Sequence, residues 1–292
     1  MSELLAANRR GIVAMSLGMV SFVANDAIIK QVSASLPSGQ LIFIRGLFAI
    51  ALLLALCSWM GLWRNPGGGL RALGQRSVLL RATLDALATI AYLTSLFHLP
   101  LGNATAINMA TPLVISLMAV LWLGERVGAA RWVALAAGFA GVLLVVQPRS
   151  EGFNAYAWLC LGGTLLHAAR DLVTRRIASS TPSLLITLST ALAVSLLAAL
   201  ISLAQGWVAV SAAQLAWLAL ASVFLSTGYY LLIVAMRAGE VSVIAPFRYV
   251  GLLFALLLGW LIWAELPNAL AWLGIALLVG AGLYVLHEQR GR

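Results

Sequence analysis

Charge is scarce in this chain. Only 9% of the 292 residues are charged, lysine occurs once, and nine acidic residues stand against seventeen arginines. A soluble domain carries roughly 25% charged residues and 45–50% apolar ones, whereas here 62% are hydrophobic and mean hydropathy is +1.00. No packed core conceals that much apolar surface, so lipid is the expected solvent for most of it. Cysteine is nearly absent too. Cys57 and Cys160 both sit inside apolar runs, which excludes a disulfide framework and suits small buried hydrophobes. With three histidines, no His-Glu-x-x-His, no Gly-x-Ser-x-Gly and no Walker-type loop, the chain lacks the means for hydrolysis or nucleotide-driven pumping. No metal and no cofactor is expected. The net charge of +9 does not point to nucleic acid, because the arginines fall singly or in pairs at the ends of apolar runs. A repeated filter ring, the mark of a passive channel, is also missing.

What the chain has is long apolar runs. A bilayer-crossing helix needs about 20 predominantly apolar residues, and ten such segments are predicted. They cover 11–33, 38–60, 76–97, 102–122, 130–147, 154–177, 182–205, 213–236, 240–263 and 268–287. Their connections are short and rich in turn residues, as in "SLPSG", "RNPGGG", "HLPLG" and "ELPN". The first run holds Asn25, Asp26 and Lys30 and has no small-residue cleavage site, so it is read as a retained helix. With the N-terminus inside, cytoplasmic segments hold Arg9, Arg10, Arg64, Arg71, Arg76, Arg126, Arg131, Arg175, Arg176, Arg237, Arg290 and Arg292. The outer segments then hold only Lys30 and Arg149. This asymmetry places both termini in the cytoplasm of a bacterial-type inner membrane.

The chain also answers itself. "NDAIIKQVS" at 25–33 matches "RDLVTRRIA" at 170–178, and the stretch from Pro37 matches that from Pro182. Later, "LWLGERVGAARWVALAAGFAGVLLV" matches "LIWAELPNALAWLGIALLVGAGLYV", with Glu125 over Glu265. The predicted fold is therefore an all-α membrane protein of two five-helix halves, 1–149 and 150–292. An odd number of helices per half inverts the second, the arrangement behind alternating access in many carriers.

Polar groups at membrane depth mark the expected cavity, since an ionised side chain in hydrocarbon is costly. On the first helix Asp26 and Lys30 share a face with Phe22, and Asn25 widens it. Arg45, at similar depth on the second helix, is the expected partner of Asp26, as a strut or as a gate. Arg81, Asp85, Thr89 and Tyr92 form a stripe on the third helix, with Arg81 and Asp85 an i,i+4 pair. On the sixth, His167 and Asp171 are again i,i+4 beside Arg170. They suit either packing or a proton relay. Asn108 precedes Pro112, which removes a backbone hydrogen bond and is expected to kink the fourth helix. Ser226 and Tyr230 are placed at the cavity from the eighth helix. Phe247 and Arg248, beside Pro246, are placed there from the ninth. Arg248 lacks an acid at i±3 or i±4. It either pairs with Asp85 or Asp171 or meets an anionic solute. The fifth and tenth helices carry only small and aliphatic residues and read as scaffold. The cavity is assigned to helices 1, 3, 4, 6, 8 and 9, with the rest as support.

Ten spans in two halves, with "ATAINMATPLVISLMAVLWLGE" at 104–125 followed by "WVALAAGFAGVLLVV", resembles the EamA-type members of the drug/metabolite transporter superfamily. The polar, aromatic cavity resembles most the branch that exports aromatic amino acids. In the family each half carries a helix pair joined at Gly-Glu, here Gly124-Glu125 and Ala264-Glu265, so the second half departs by one alanine. Leu252 also stands where the first half has Pro112. The resemblance implies a basket of helices around a central cavity and alternating access. It also implies export of small metabolites, commonly amino acids, from the cytoplasm by a monomer or weak homo-oligomer, with proton coupling an open role. A passive channel or an exporter of cationic drugs is the alternative.

Overall fold

The computed structural model describes residues 2–64, 69–123, 128–147, 154–174, 177–178, 180–238 and 244–288. Regular structure among the described residues is helical. The helices are α1 (Ser2–Ser33), α2 (Ser38–Trp59), a short α3 (Leu70–Leu73), α4 (Arg76–Leu96), α5 (Leu101–Asn108), α6 (Thr111–Leu123), α7 (Ala129–Val146), α8 (Tyr156–Thr174), α9 (Ser183–Gln205), α10 (Ala212–Ala238), α11 (Val250–Trp263) and α12 (Ala269–Glu288). Six stretches are long and apolar enough to cross a bilayer, and three shorter apolar helices accompany them.

Proline sets several starts. Pro37, Pro100 and Pro182 stand immediately before α2, α5 and α9 with φ of −55°, −54° and −62°. Their missing N–H would have been an orphan at that position anyway. The fourth predicted segment is not one helix but two. Pro112 cannot donate to the carbonyl of Asn108, and the hydroxyl of Thr111 does so instead at 2.6 Å. The chain tightens over Met109 and Ala110, and α6 restarts at Thr111. The break is thus a turn between two half-helices rather than the expected kink. The ninth segment is similar. Ala245–Tyr249 is a 3-10 segment with Pro246 in its first turn, and regular helix begins only at Val250.

The most extensive pairings are α1 with α10, α7 with α12, α4 with α8 and α2 with α9. Lesser contacts join α4 to α9, α10 to α2, α1 to α11 and α6 to α8. Glycine permits the closest crossing. A methyl group added at Gly141 would lie 2.6 Å from the carbonyl oxygen of Gly274, so α7 and α12 meet backbone to backbone. At the far end of α11, Ala264 takes a left-handed conformation with φ 54°. The N–H groups of Ala264 and Glu265 close onto the carbonyls of Trp260 and Gly259 at 3.0 Å each.

Candidate functional site

A cavity of about 510 Å³ lies in the middle of the bundle. Its wall has two polar groups of residues separated by apolar and aromatic surface.

The first group joins α1, α2 and α4. Asn25 is 1% exposed and sits at its centre. Its Nδ2 donates to Asp26 Oδ1 at 2.9 Å, and its Oδ1 accepts from Arg45 Nη1 at 3.2 Å. The hydroxyl of Tyr92 donates to the other oxygen of Asp26 at 2.9 Å. The expected direct pair between Asp26 and Arg45 is therefore corrected: the amide of Asn25 stands between them. An asparagine carries one donor and one acceptor side, so it can serve both ions at once. Arg45 is 4% exposed, and its Nε has no acceptor.

The second group joins α4, α8 and α9. Asp85 is fully buried. It receives Arg170 Nη1 at 2.7 Å, Arg81 Nη1 at 3.3 Å and the hydroxyl of Thr190 at 3.2 Å. Arg81 also donates to Thr174 and Thr190. Arg170 turns its other edge to Asp171 at 2.8 Å. Two arginines and two aspartates thus close into one neutral network, consistent with the high cost of an unpaired ion in such a place. The expected His167–Asp171 pair does not form. His167 Nδ1 lies 3.0 Å from Asn108 Oδ1, and its Nε2 lies 3.9 Å from Asp85 Oδ1. The ring of Tyr92, 6.3 Å from that of His167, links the two groups.

Of the residues singled out from sequence, Asn25, Asp26, Arg45, Thr89, Tyr92, Asn108, His167, Arg170, Asp171, Ser226 and Arg248 line the cavity. Asp85 stands behind the wall and holds Arg170, with Arg81 paired to Asp85 in turn. Tyr230 is 52% exposed and turned away from the cavity; Tyr229 faces the cavity in its place, its ring edge-on to Phe22 at 5.0 Å. Phe247 does not line the cavity either, because it packs against the apolar cluster of Met15, Met19 and Ile244. Arg248 lines the cavity without an ion pair to Asp85 or Asp171, since both are taken by Arg170. The second and seventh predicted segments, here α2 and α9, assigned to support, contribute wall as well. Gly46 and Ala49 on α2, with Thr187, Thr190 and Ala191 on α9, offered no charge to mark them apart from Arg45. The scaffold helices α7 and α12 contribute none of the lining.

A clasp that the sequence did not reveal closes one end of the bundle. Lys30 Nζ donates to Glu265 Oε1 at 2.8 Å and Oε2 at 3.1 Å and to the carbonyl of Leu99 at 2.6 Å. Glu265 Oε2 also accepts the N–H of Leu101 at 2.9 Å, and Lys30 lies 4.9 Å from the Trp263 ring centre. The left-handed turn at Ala264 brings Glu265 back to the end of α11 where this can happen. Glu125, its match in the first half, and Arg175 lie outside the described residues.

The comparisons agree with this geometry. The model of the EamA-like transporter family matches residues 9–147 and again 154–286. A riboflavin transporter of Rhizobium johnstonii is 34% identical over 73% of this chain and 71% of its own length. A pseudopaline exporter of Pseudomonas aeruginosa is 28% identical over 97% and 98%. An S-adenosylmethionine uptake transporter of Rickettsia conorii is 24% identical over 99% and 97%. A solved crystal structure shares the fold at a TM-score of 0.65 and 20% identity, covering 99% of both chains. These relatives are membrane transporters of small molecules and not enzymes. A chain matched by the family's model along nearly its whole length belongs to the EamA-like transporter family.

Proposed function

We propose that this protein is a secondary carrier that exports a small metabolite by alternating access around the central cavity. The observation that carries the reading is the cavity itself. It combines carboxylates, guanidinium groups, amides and aromatic rings on its wall. Such a wall matches a solute with both charge signs and an apolar body, and amino acids, aromatic ones included, are the first class to test.

The mechanism needs two halves that can rock. We assign them to residues 1–149 and 150–292, five helices each, inverted with respect to one another. The separate family matches support this division. So does the packing. Exchanging α1 with α8, α2 with α9, α4 with α10, α5–α6 with α11 and α7 with α12 turns the α1–α10 contact into α8–α4. The same exchange turns α2–α10 into α9–α4 and α1–α11 into α8–α6, and it leaves α2–α9 and α7–α12 unchanged. A twofold relation between halves has that effect. The arginine asymmetry supports cytoplasmic termini in a bacterial inner membrane. Proton coupling, if present, is assigned to His167, held between Asn108 and Asp85.

The test is counterflow in proteoliposomes with radiolabelled amino acids, nucleosides and quaternary amines. Exchange of one class well above protein-free vesicles is expected. Rates equal to protein-free vesicles for every class would remove the carrier reading.

A further inference from the structure

We infer that Arg248 forms a carboxylate-recognition site on the cavity wall. The inference rests on the carrier reading for its purpose but on independent features for its chemistry.

Among the described residues, the ionised groups on the cavity wall are three arginines, Arg45, Arg170 and Arg248, and two aspartates, Asp26 and Asp171. The Arg170 network is internally satisfied, with Asp85 and Arg81 balancing each other behind it. Asp26 is already served by Tyr92 and Asn25, and Arg45 reaches its charge only through that amide. One positive charge remains. Arg248 makes no hydrogen bond or ion pair with any of the described residues. Arg45 spends Nη1 on a neutral amide, and its buried Nε is without an acceptor.

An unpaired guanidinium at membrane depth is costly, so its presence calls for a ligand that completes it. The fork of a guanidinium matches the two oxygens of a carboxylate. A carboxylate supplies the one compensating negative charge, and inorganic phosphate is the rival oxyanion that the test separates from it. The same cavity is lined by apolar and aromatic side chains, Met19, Phe22, Leu53 and Tyr229 among them. The ligand is therefore a carboxylate on an apolar or aromatic body. A neutral analogue of the same shape leaves the excess charge unpaired and is rejected.

Thermal unfolding of the purified protein in detergent tests this without transport. The probes are benzoate, its uncharged isostere benzamide, and inorganic phosphate. Benzoate is expected to raise the unfolding midpoint, and the other two are not. Arg248→Met should lower benzoate affinity at least tenfold, while Arg248→Lys keeps a weaker response. Arg248→Met should also raise the midpoint of the ligand-free protein, because it removes an unpaired, half-buried charge at membrane depth; a residue with a structural role would lower it. A lower ligand-free midpoint, or equal responses to benzoate and benzamide, overturns the inference. Phosphate acting alone would identify a different oxyanion and overturn the carboxylate assignment. Should Arg248→Met not fold, Arg248→Lys and the three probes on the wild type still decide. Benzoate binding with no counterflow of any solute would sink the carrier reading and leave the site standing. Counterflow with equal use of an acid and its amide would do the reverse.

Discussion

Replacing Asp85 by asparagine removes one negative charge and almost no volume. In the folded protein that carboxylate is fully buried and holds two guanidinium groups, Arg170 at 2.7 Å and Arg81 at 3.3 Å. Their side chains are themselves only 16% and 11% exposed. After the change, two cations share Asp171 alone, and one of them is left uncompensated in the interior. Breaking a buried ion pair by removing one partner costs about 3–5 kcal/mol. The double variant Asp85→Asn/Arg81→Gln restores the charge balance of the network. It should therefore lose about 1–3 kcal/mol less than the two single losses added together. Reversible unfolding in mixed micelles, followed by tryptophan fluorescence, measures all three variants. Strict additivity, or a loss below about 1 kcal/mol for Asp85→Asn, would refute the account of this network as a mutually dependent set of charges.

Ala264→Gly should stabilise the protein by about 1 kcal/mol, since a Cβ is unfavourable at φ 54°; a lower unfolding midpoint would contradict this. Lys30→Met should open the clasped end, because charge-assisted hydrogen bonds are worth about 1.5–3 kcal/mol, or roughly tenfold or more in population. Labelling of a cysteine placed at Leu99, in a background without Cys57 and Cys160, by a membrane-impermeant thiol reagent should accelerate by that factor. An unchanged rate would show that the clasp does not keep that end shut. His167→Gln should abolish any response of transport to an imposed pH difference while counterflow persists. Asp85, Arg170, Asp171 and Arg81 face His167 and remain in place, so a retained response would move the coupling to one of them.

Much of the site was legible because ions in an apolar helix have few places to go. Asp26 on the face of Phe22, and Tyr92 on the stripe of Asp85, follow from helical spacing alone. Partners were harder, because they depend on distances of a few ångströms across helices. Asn25 intercepts Arg45, and Arg170 reaches Asp171 before His167 does, and neither follows from depth in the membrane. Tyr229 and Tyr230 differ by 100° around α10, a helix so apolar that its sequence gives no phase. The cavity walls on α2 and α9 are made of glycine, alanine and threonine, which read equally well as packing. Lys30 and Glu265 lie 235 residues apart, and only the turn at Ala264 brings them together.

The helix α4 is pinned at two points. Tyr92 holds it to α1 through Asp26 at 2.9 Å, and seven residues earlier Asp85 holds it to α8 through Arg170 at 2.7 Å. At 1.5 Å per residue these anchors are roughly 10 Å apart along a stiff rod. A molecule that unseats Asp26 therefore tugs on the beam that also carries Arg170, and news of its arrival crosses from α1 to α8 without any loop having to move.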